Sequence, residues 1–321
     1  MDKRTRVRRA MDKLPVDHVP VSFWYHFKGE EMLGEPCAQA HVRYVREADV
    51  DFVKIMCDSY FAYPLPEIRE PSDWYKLRPI GRDAPYIKDQ VWRAKRIVEL
   101  TGGECCAFYT LFAPFSTIRF SAPDELVMEH LREDENAVLY ALDVIAQDNA
   151  LLGNLLVTEA GCDGVYFCVQ GGETSRMSGE EYRRLIAPSD RYVLDRVNRV
   201  SDYNIMHCCG WAGEKNRLEL WRDYPSKAVN WAVHVEELSL PEGRAFFGDR
   251  CCIGGFETLH QHDDVYQGLL YTGTKEEIQA AVRAIIREYG TRGLMIGGDC
   301  ILSPDISNER IRWVVEAARS V

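Results

Sequence analysis

The sequence has no long apolar run. Hydrophobic residues make up 46% of its 321 residues, yet no window approaches the ~20 apolar residues that cross a bilayer. The start, MDKRTRVRRAMDKLP, is basic and amphipathic. No apolar stretch follows it, as a secretory signal would require, so a cytoplasmic location is expected. Positive charge is also short: 39 Lys and Arg stand against 50 Asp and Glu, a net charge of −11. That balance argues against nucleic acid as a partner, since phosphate contacts need clustered cations, and against an anionic membrane surface. No G-x-G-x-x-G follows the first apolar run, which removes the usual phosphate loop of a doubly wound nucleotide-binding sheet. Low-complexity segments, tandem repeats and obvious linkers are missing too, so residues 1–321 are expected to form one domain.

Cysteine, by contrast, is plentiful. There are 11, and the pairs Cys105-Cys106, Cys208-Cys209 and Cys251-Cys252 are adjacent. Neighbouring cysteines bridge each other poorly, and without an export signal most should be reduced. A buried thiol usually acts as a small hydrophobe.

Short apolar runs alternate with amphipathic stretches. The runs are VPVSF (19–23), DFVKIM (51–56), CCAFYTLF (105–112), DGVYFC (163–168), YNIMH (203–207), KAVNWAV (227–233), CCIGGF (251–256) and RGLMIGG (292–298). Several helices are punctuated. Ser178 with Glu181 and Thr274 with Glu277 make capping boxes, Gly290 ends the second of these helices, and a last helix runs from Glu309 to Ser320. Strands alternating with helices predict an α/β fold with a parallel sheet. Eight runs in a chain of this length favour a single (β/α)8 TIM-type barrel. The stretch 64–103, long and Pro-rich, is read as an excursion over the barrel mouth.

The strongest constellation is M-H-C-C-G at 206–210 with G-G-D-C at 297–300. His207 ends a strand run, and Cys209, two residues on, points the same way in extended chain. Cys300 follows another run. Both segments would reach the carboxyl rim of a parallel barrel, where active sites gather. One imidazole and two thiolates suit Zn2+ and leave a fourth position for water or substrate. The same spacing also fits three core or rim residues without metal.

Four segments carry a family likeness: D-H-V-P-V-S at 17–22, G-C-D-G-V-Y-F at 161–167, S-x-x-E-Y at 178–182 and C-I-L-S-P-D-I at 300–306. On these the chain resembles the uroporphyrinogen decarboxylase superfamily over nearly its whole length. Within it, the chain is similar to zinc methyltransferases that act with corrinoid proteins, whose H-x-C…C motif matches His207, Cys209 and Cys300. The decarboxylase branch has a histidine where Cys300 stands, and an arginine-rich M-R-Q-A-G-R segment where this chain has FWYHFKGEEM. The resemblance therefore implies methyl transfer between a corrinoid and a small-molecule thiol or methylated substrate, with zinc as Lewis acid. No D-x-H-x-x-G segment is present, so the corrinoid (a cobalamin) is expected on a partner protein.

Other candidates follow from position. Asp58, in IMCDSY, stands where the decarboxylases keep a pocket aspartate, and it also suits a cap after a strand. G-G-F-E-T at 254–258 replaces the family's G-N-x-D-P and offers Glu257 as the acid. Gln170, near a strand end, could orient substrate. Aromatics near strand ends suit either a pocket for a flat ligand or plain core; Trp24, Tyr60, Tyr109 and Trp211 are the candidate corrinoid contacts. Asp299 and Glu159 could assist the metal. Two other functions stay open: a lyase acting on a carboxylate-bearing substrate through Asp58, and a non-catalytic barrel with structural zinc.

Overall fold

The computed structural model describes residues 1–57, 61–258 and 268–321. Seven parallel strands form one curled sheet in sequence order: β1 (Phe52–Ile55), β2 (Cys106–Phe112), β3 (Gly164–Val169), β4 (Ile205–Cys208), β5 (Ala228–Trp231), β6 (Cys251–Phe256) and β7 (Leu294–Gly298). Helices cover the outer face, among them Gly34–Ala48, Pro85–Thr101, Glu135–Thr158, Ala187–Asn198, Lys275–Tyr289 and Asn308–Arg319. Both predicted capping boxes form, at Ser178 and Thr274. Among the described residues no helix is long and apolar enough to cross a membrane.

Every strand is buried almost throughout, so side chains alternate between two apolar layers. Val53, Ile55, Tyr109, Leu111, Phe167 and Met206 pack outward against helices. Phe52, Met56, Phe108, Tyr166, Ile253 and Met295 fill the inner side. The Lys3–Met11 helix closes the amino-terminal end of that inner space with Val7, Ala10 and Met11. Site residues can thus gather only at the open, carboxyl end.

Seven of the eight predicted runs are strands; VPVSF is not. The segment makes isolated bridges, Val21 to Ile296 and Tyr25 to Leu302, while Asp51 N donates to Val21 O at 2.8 Å beside β1. It links both edges of the sheet without becoming a regular strand. Side chains take over its backbone groups: Asp51 accepts from Val21 N at 2.8 Å, and Tyr44 Oη serves both Phe23 N and Phe23 O. Ser22 Oγ donates to Phe52 O at 2.6 Å, and Pro20 has no N–H to give.

The 64–103 segment also departs from expectation. Residues 85–101 are a covering helix. The Pro-rich part packs beside the Glu135–Thr158 helix, where Asp148 accepts from Tyr63 Oη, Ile80 N and Gly81 N. Trp74 is fully buried and donates to His130. An indole needing burial and a buried carboxylate needing donors hold this stretch to the helix layer. None of 64–103 lines the cavity at the sheet's open end, among the described residues.

Candidate metal centre

β4 is short, and its inward positions are Ile205 and His207, with Cys209 next in phase. Cys209 N still donates to Val169 O at 3.1 Å, which extends the ladder by one residue and keeps the thiol inward. Cys300 comes from the turn after β7. Its N–H donates to Thr258 Oγ1 at 2.8 Å. That close approach needs Gly298, because a Cβ there would sit 2.6 Å from the Thr258 methyl. The His207, Cys209 and Cys300 donor atoms lie within 4.8 Å of one another, all buried. Cys300 Sγ is 3.7 Å from His207 Nε2. Tetrahedral zinc with ligand bonds near 2.0–2.3 Å sets its donors about 3.5–3.8 Å apart.

The imidazole is prepared for a metal. In register, His207 on β4 sits beside Asn230 on β5, and His207 Nδ1 is 2.5 Å from Asn230 Oδ1. The Asn230 amide nitrogen donates to Ile253 O at 3.0 Å and Gly298 O at 3.1 Å, so its oxygen must face the ring. An oxygen accepts, so Nδ1 carries the proton and Nε2 keeps its lone pair toward the sulfurs. Gln170 Nε2 donates to Cys209 Sγ at 3.5 Å. The Cys209 thiol is drawn well below its ordinary value, first by the Cys300 thiol donating to it, with Gln170 as a further donor. The same contact pushes the Cys300 thiol up. The donor chemistry, spacing and tautomer all fit Zn2+. Among the described residues no fourth His, Cys, Asp or Glu joins the group.

The centre opens on a cavity of about 300 Å³ lined by Trp24, Lys54, Gln170, His207, Cys209 and Cys300 among others. Trp211, 60% exposed, and Phe120, 42% exposed, stand at its edge. No arginine and no carboxylate lines it among the described residues.

The sequence candidates are distributed unevenly. Gln170, Trp24 and Trp211 reach this cavity. Asp58 and Tyr60 lie outside the described residues. Tyr109 does not reach the cavity: in register with Ile55 and Val165 it faces outward, with Oη 3.3 Å from Gln90 Oε1 of a covering helix. Glu257 is exposed after β6 and lines no part of the cavity. Its place follows from Thr258, the next residue, turning inward to hold Cys300. Glu159 pairs with Arg82 on the surface. Asp299 is buried and bonded to His234 Nδ1 at 2.7 Å, with burial pushing its carboxyl up. Two residues went unnoticed in the sequence: Asn230 and Lys54, both polar groups inside apolar strand runs.

Residues 47–321 match the family model described as uroporphyrinogen decarboxylase (URO-D). The chain belongs to that family. No curated protein matches the sequence. Among solved structures, a methyltransferase from Methanosarcina mazei is similar over 100% of this chain and 98% of its own, with TM-score 0.76 and 18% identity. A B12-independent methionine synthase from Shewanella sp. W3-18-1 is similar over 94% of this chain and 97% of its own, with TM-score 0.57 and 13% identity. At such identities these likenesses describe the fold.

Proposed function

We propose that the chain is a zinc-dependent methyltransferase that moves a methyl group between a corrinoid protein and a small-molecule thiol or methylated substrate. The observation that carries this is the convergence of His207 Nε2, Cys209 Sγ and Cys300 Sγ at the cavity, with Asn230 fixing the imidazole tautomer. When bound, zinc supplies Lewis acidity, which lowers a thiol's pKa or polarises a methylated heteroatom. The chain's own residues do the rest. His207 and the two cysteines present three donors to one point, and Gln170 steadies Cys209. The apolar walls at Met56, Phe112 and Ile301 exclude water from the reacting atoms. A space of about 300 Å³ suits a small molecule. A corrinoid must then approach from outside, carried by its own protein and capping the mouth.

The full-length likeness in fold to the Methanosarcina methyltransferase agrees with this assignment. A structural zinc would call for a closed set of four protein ligands, and three are found among the described residues. A lyase needs no metal, so zinc content separates it from the methyltransferase.

The test mixes the zinc-loaded protein with a corrinoid protein and a panel of thiols and methylated compounds, and follows the cobalt absorbance. Methylation or demethylation of cobalt should depend on this protein and collapse in Cys209→Ala. Unchanged cobalt across the panel, with the carrier shown to be active, would reject the proposal and favour the lyase.

A further inference from the structure

Lys54 is the one cation lining the cavity among the described residues. It sits on β1, turned inward between Phe52 and Met56, and is only 5% exposed. A lysine so deeply placed is normally paired with an acceptor or a carboxylate. Lys54 has neither. Its Nζ lies 4.8 Å from the Trp24 ring centroid and 4.5 Å from that of Tyr166. Those faces offset part of the desolvation cost but accept no conventional hydrogen bond, so three ammonium donors stay unused. The flanking rings carry donors in the same condition. Trp24 Nε1 and Tyr166 Oη are both buried without partners. Three polar side chains, each more than nine-tenths buried, thus meet beside the cavity, which Lys54 and Trp24 line, with no acceptor for them among the described residues. Two thiolates balance the two charges of a zinc ion, and a neutral His207 adds nothing. Among the described residues the Lys54 charge is then left without a carboxylate counter-ion in the cavity.

We propose that Lys54 is the specificity residue of this site and binds the carboxylate of the substrate. It rests on the methyltransferase assignment only for the nature of the substrate's other end. The substrate would be a small carboxylate whose thiol or methylated heteroatom reaches the metal centre while its anionic end meets Lys54 between Trp24 and Tyr166. One charge-assisted hydrogen bond in a dry pocket corresponds to roughly a ten- to hundredfold preference for the anion over a neutral analogue.

The experiment compares 3-mercaptopropionate with the neutral 3-mercaptopropan-1-ol on the zinc-loaded protein, by calorimetry and tryptophan fluorescence. Wild type should prefer the carboxylate at least tenfold. Lys54→Met should lose that preference while binding the neutral thiol as before, and Lys54→Arg should keep part of it. A purely structural lysine would instead show as a lower Tm in Lys54→Met, with the preference intact. Propionate, which has no sulfur, is titrated into zinc-free protein as a separate arm, where its binding should depend on Lys54 alone. Equal affinity for the two thiols in wild type would overturn the role of Lys54 and leave the metal assignment standing. Zinc-independent binding of both thiols, with propionate still requiring Lys54, would overturn the metal's role in holding the thiol and leave Lys54 standing.

Discussion

Asn230 offers the sharpest test of how the metal centre is built, because its two ends do different jobs. Its oxygen fixes the His207 tautomer, and its amide nitrogen satisfies Ile253 O and Gly298 O. Asn230→Ala removes both. The ring is then free to place its proton on Nε2 or to turn. Loss of such a partner typically costs ten- to a hundredfold in metal affinity, about 1.4–2.8 kcal/mol. The two buried carbonyls, deprived of donors, cost about 1–3 kcal/mol of folding stability each. Asn230→Asp separates the effects: it keeps an acceptor for Nδ1–H and loses the donors. It should destabilise the fold about as much as Asn230→Ala yet bind zinc within a few-fold of wild type. Zinc affinity is read by competition with a chromophoric chelator, and stability by urea unfolding of the metal-free protein. If Asn230→Ala binds zinc as wild type does, or if both variants lose affinity equally, the tautomer argument is wrong.

Cys300→Ser should abolish stoichiometric zinc in metal analysis while circular dichroism shows an intact fold, since the two apolar layers do not depend on the metal. Cys208→Ala should keep its zinc, because Cys208 faces outward into the helix layer, where burial raises its thiol well above the ordinary value. Asp190 should make the fold less stable as pH rises from 5 to 8. Burial raises that carboxyl from 3.8 to about 7, against the hydrogen bonds from Tyr182 and Tyr224. The folded chain therefore keeps a proton that the unfolded chain releases. Its contribution is complete below about pH 4 and lost as pH rises through about 7, on the order of 2–4 kcal/mol. Urea titrations of Asp190→Asn should lose less stability between pH 5 and pH 8 than wild type does, while Glu236, which burial also raises to about 7, and His41, which burial lowers to about 3, contribute equally to both. Uroporphyrinogen should give no coproporphyrinogen by chromatography, because a porphyrinogen carries many carboxylates and this cavity offers Lys54 and no arginine among the described residues.

The strand runs were legible because each is a short apolar block between helices with recognisable caps. The phase within a strand was not. In a sheet buried on both faces, hydrophobicity alone does not mark which residues look inward. Tyr109 was placed in the pocket on its aromatic character, but it shares its phase with Leu111 and faces helices. His207 and Cys209 succeeded because their spacing of two fixes a common face whichever way the strand turns. Lys54 and Asn230 did carry a signal: a charge or an amide amid apolar strand residues must find a partner or a cavity. VPVSF failed as a strand because side chains from Asp51 and Tyr44 claimed its backbone groups, a tertiary effect that no local pattern announces.

The placement of the 64–84 segment changes where a partner can dock. With that stretch held on the Glu135–Thr158 helix by Asp148 and Trp74, the aromatic edge of the cavity is made by Trp211 and Phe120. Among the described residues Trp211 is the most exposed large hydrophobic side chain, at 60%. It follows Gly210 directly, two residues beyond the candidate ligand Cys209. An apolar ring kept in water at such a site costs solubility and offers no packing in return. Tryptophan is also the side chain most often found at the energetic centre of protein interfaces. If a corrinoid protein caps this mouth, Trp211→Ala should raise the carrier concentration needed for half-maximal cobalt turnover by about tenfold or more. Zinc content and small-thiol binding should not change. Stopped-flow cobalt spectra at varied carrier concentration distinguish this from damage to the centre, which would lower the limiting rate at saturating carrier instead. A Trp211→Ala protein with unaltered carrier dependence would show that the carrier docks elsewhere or that none docks.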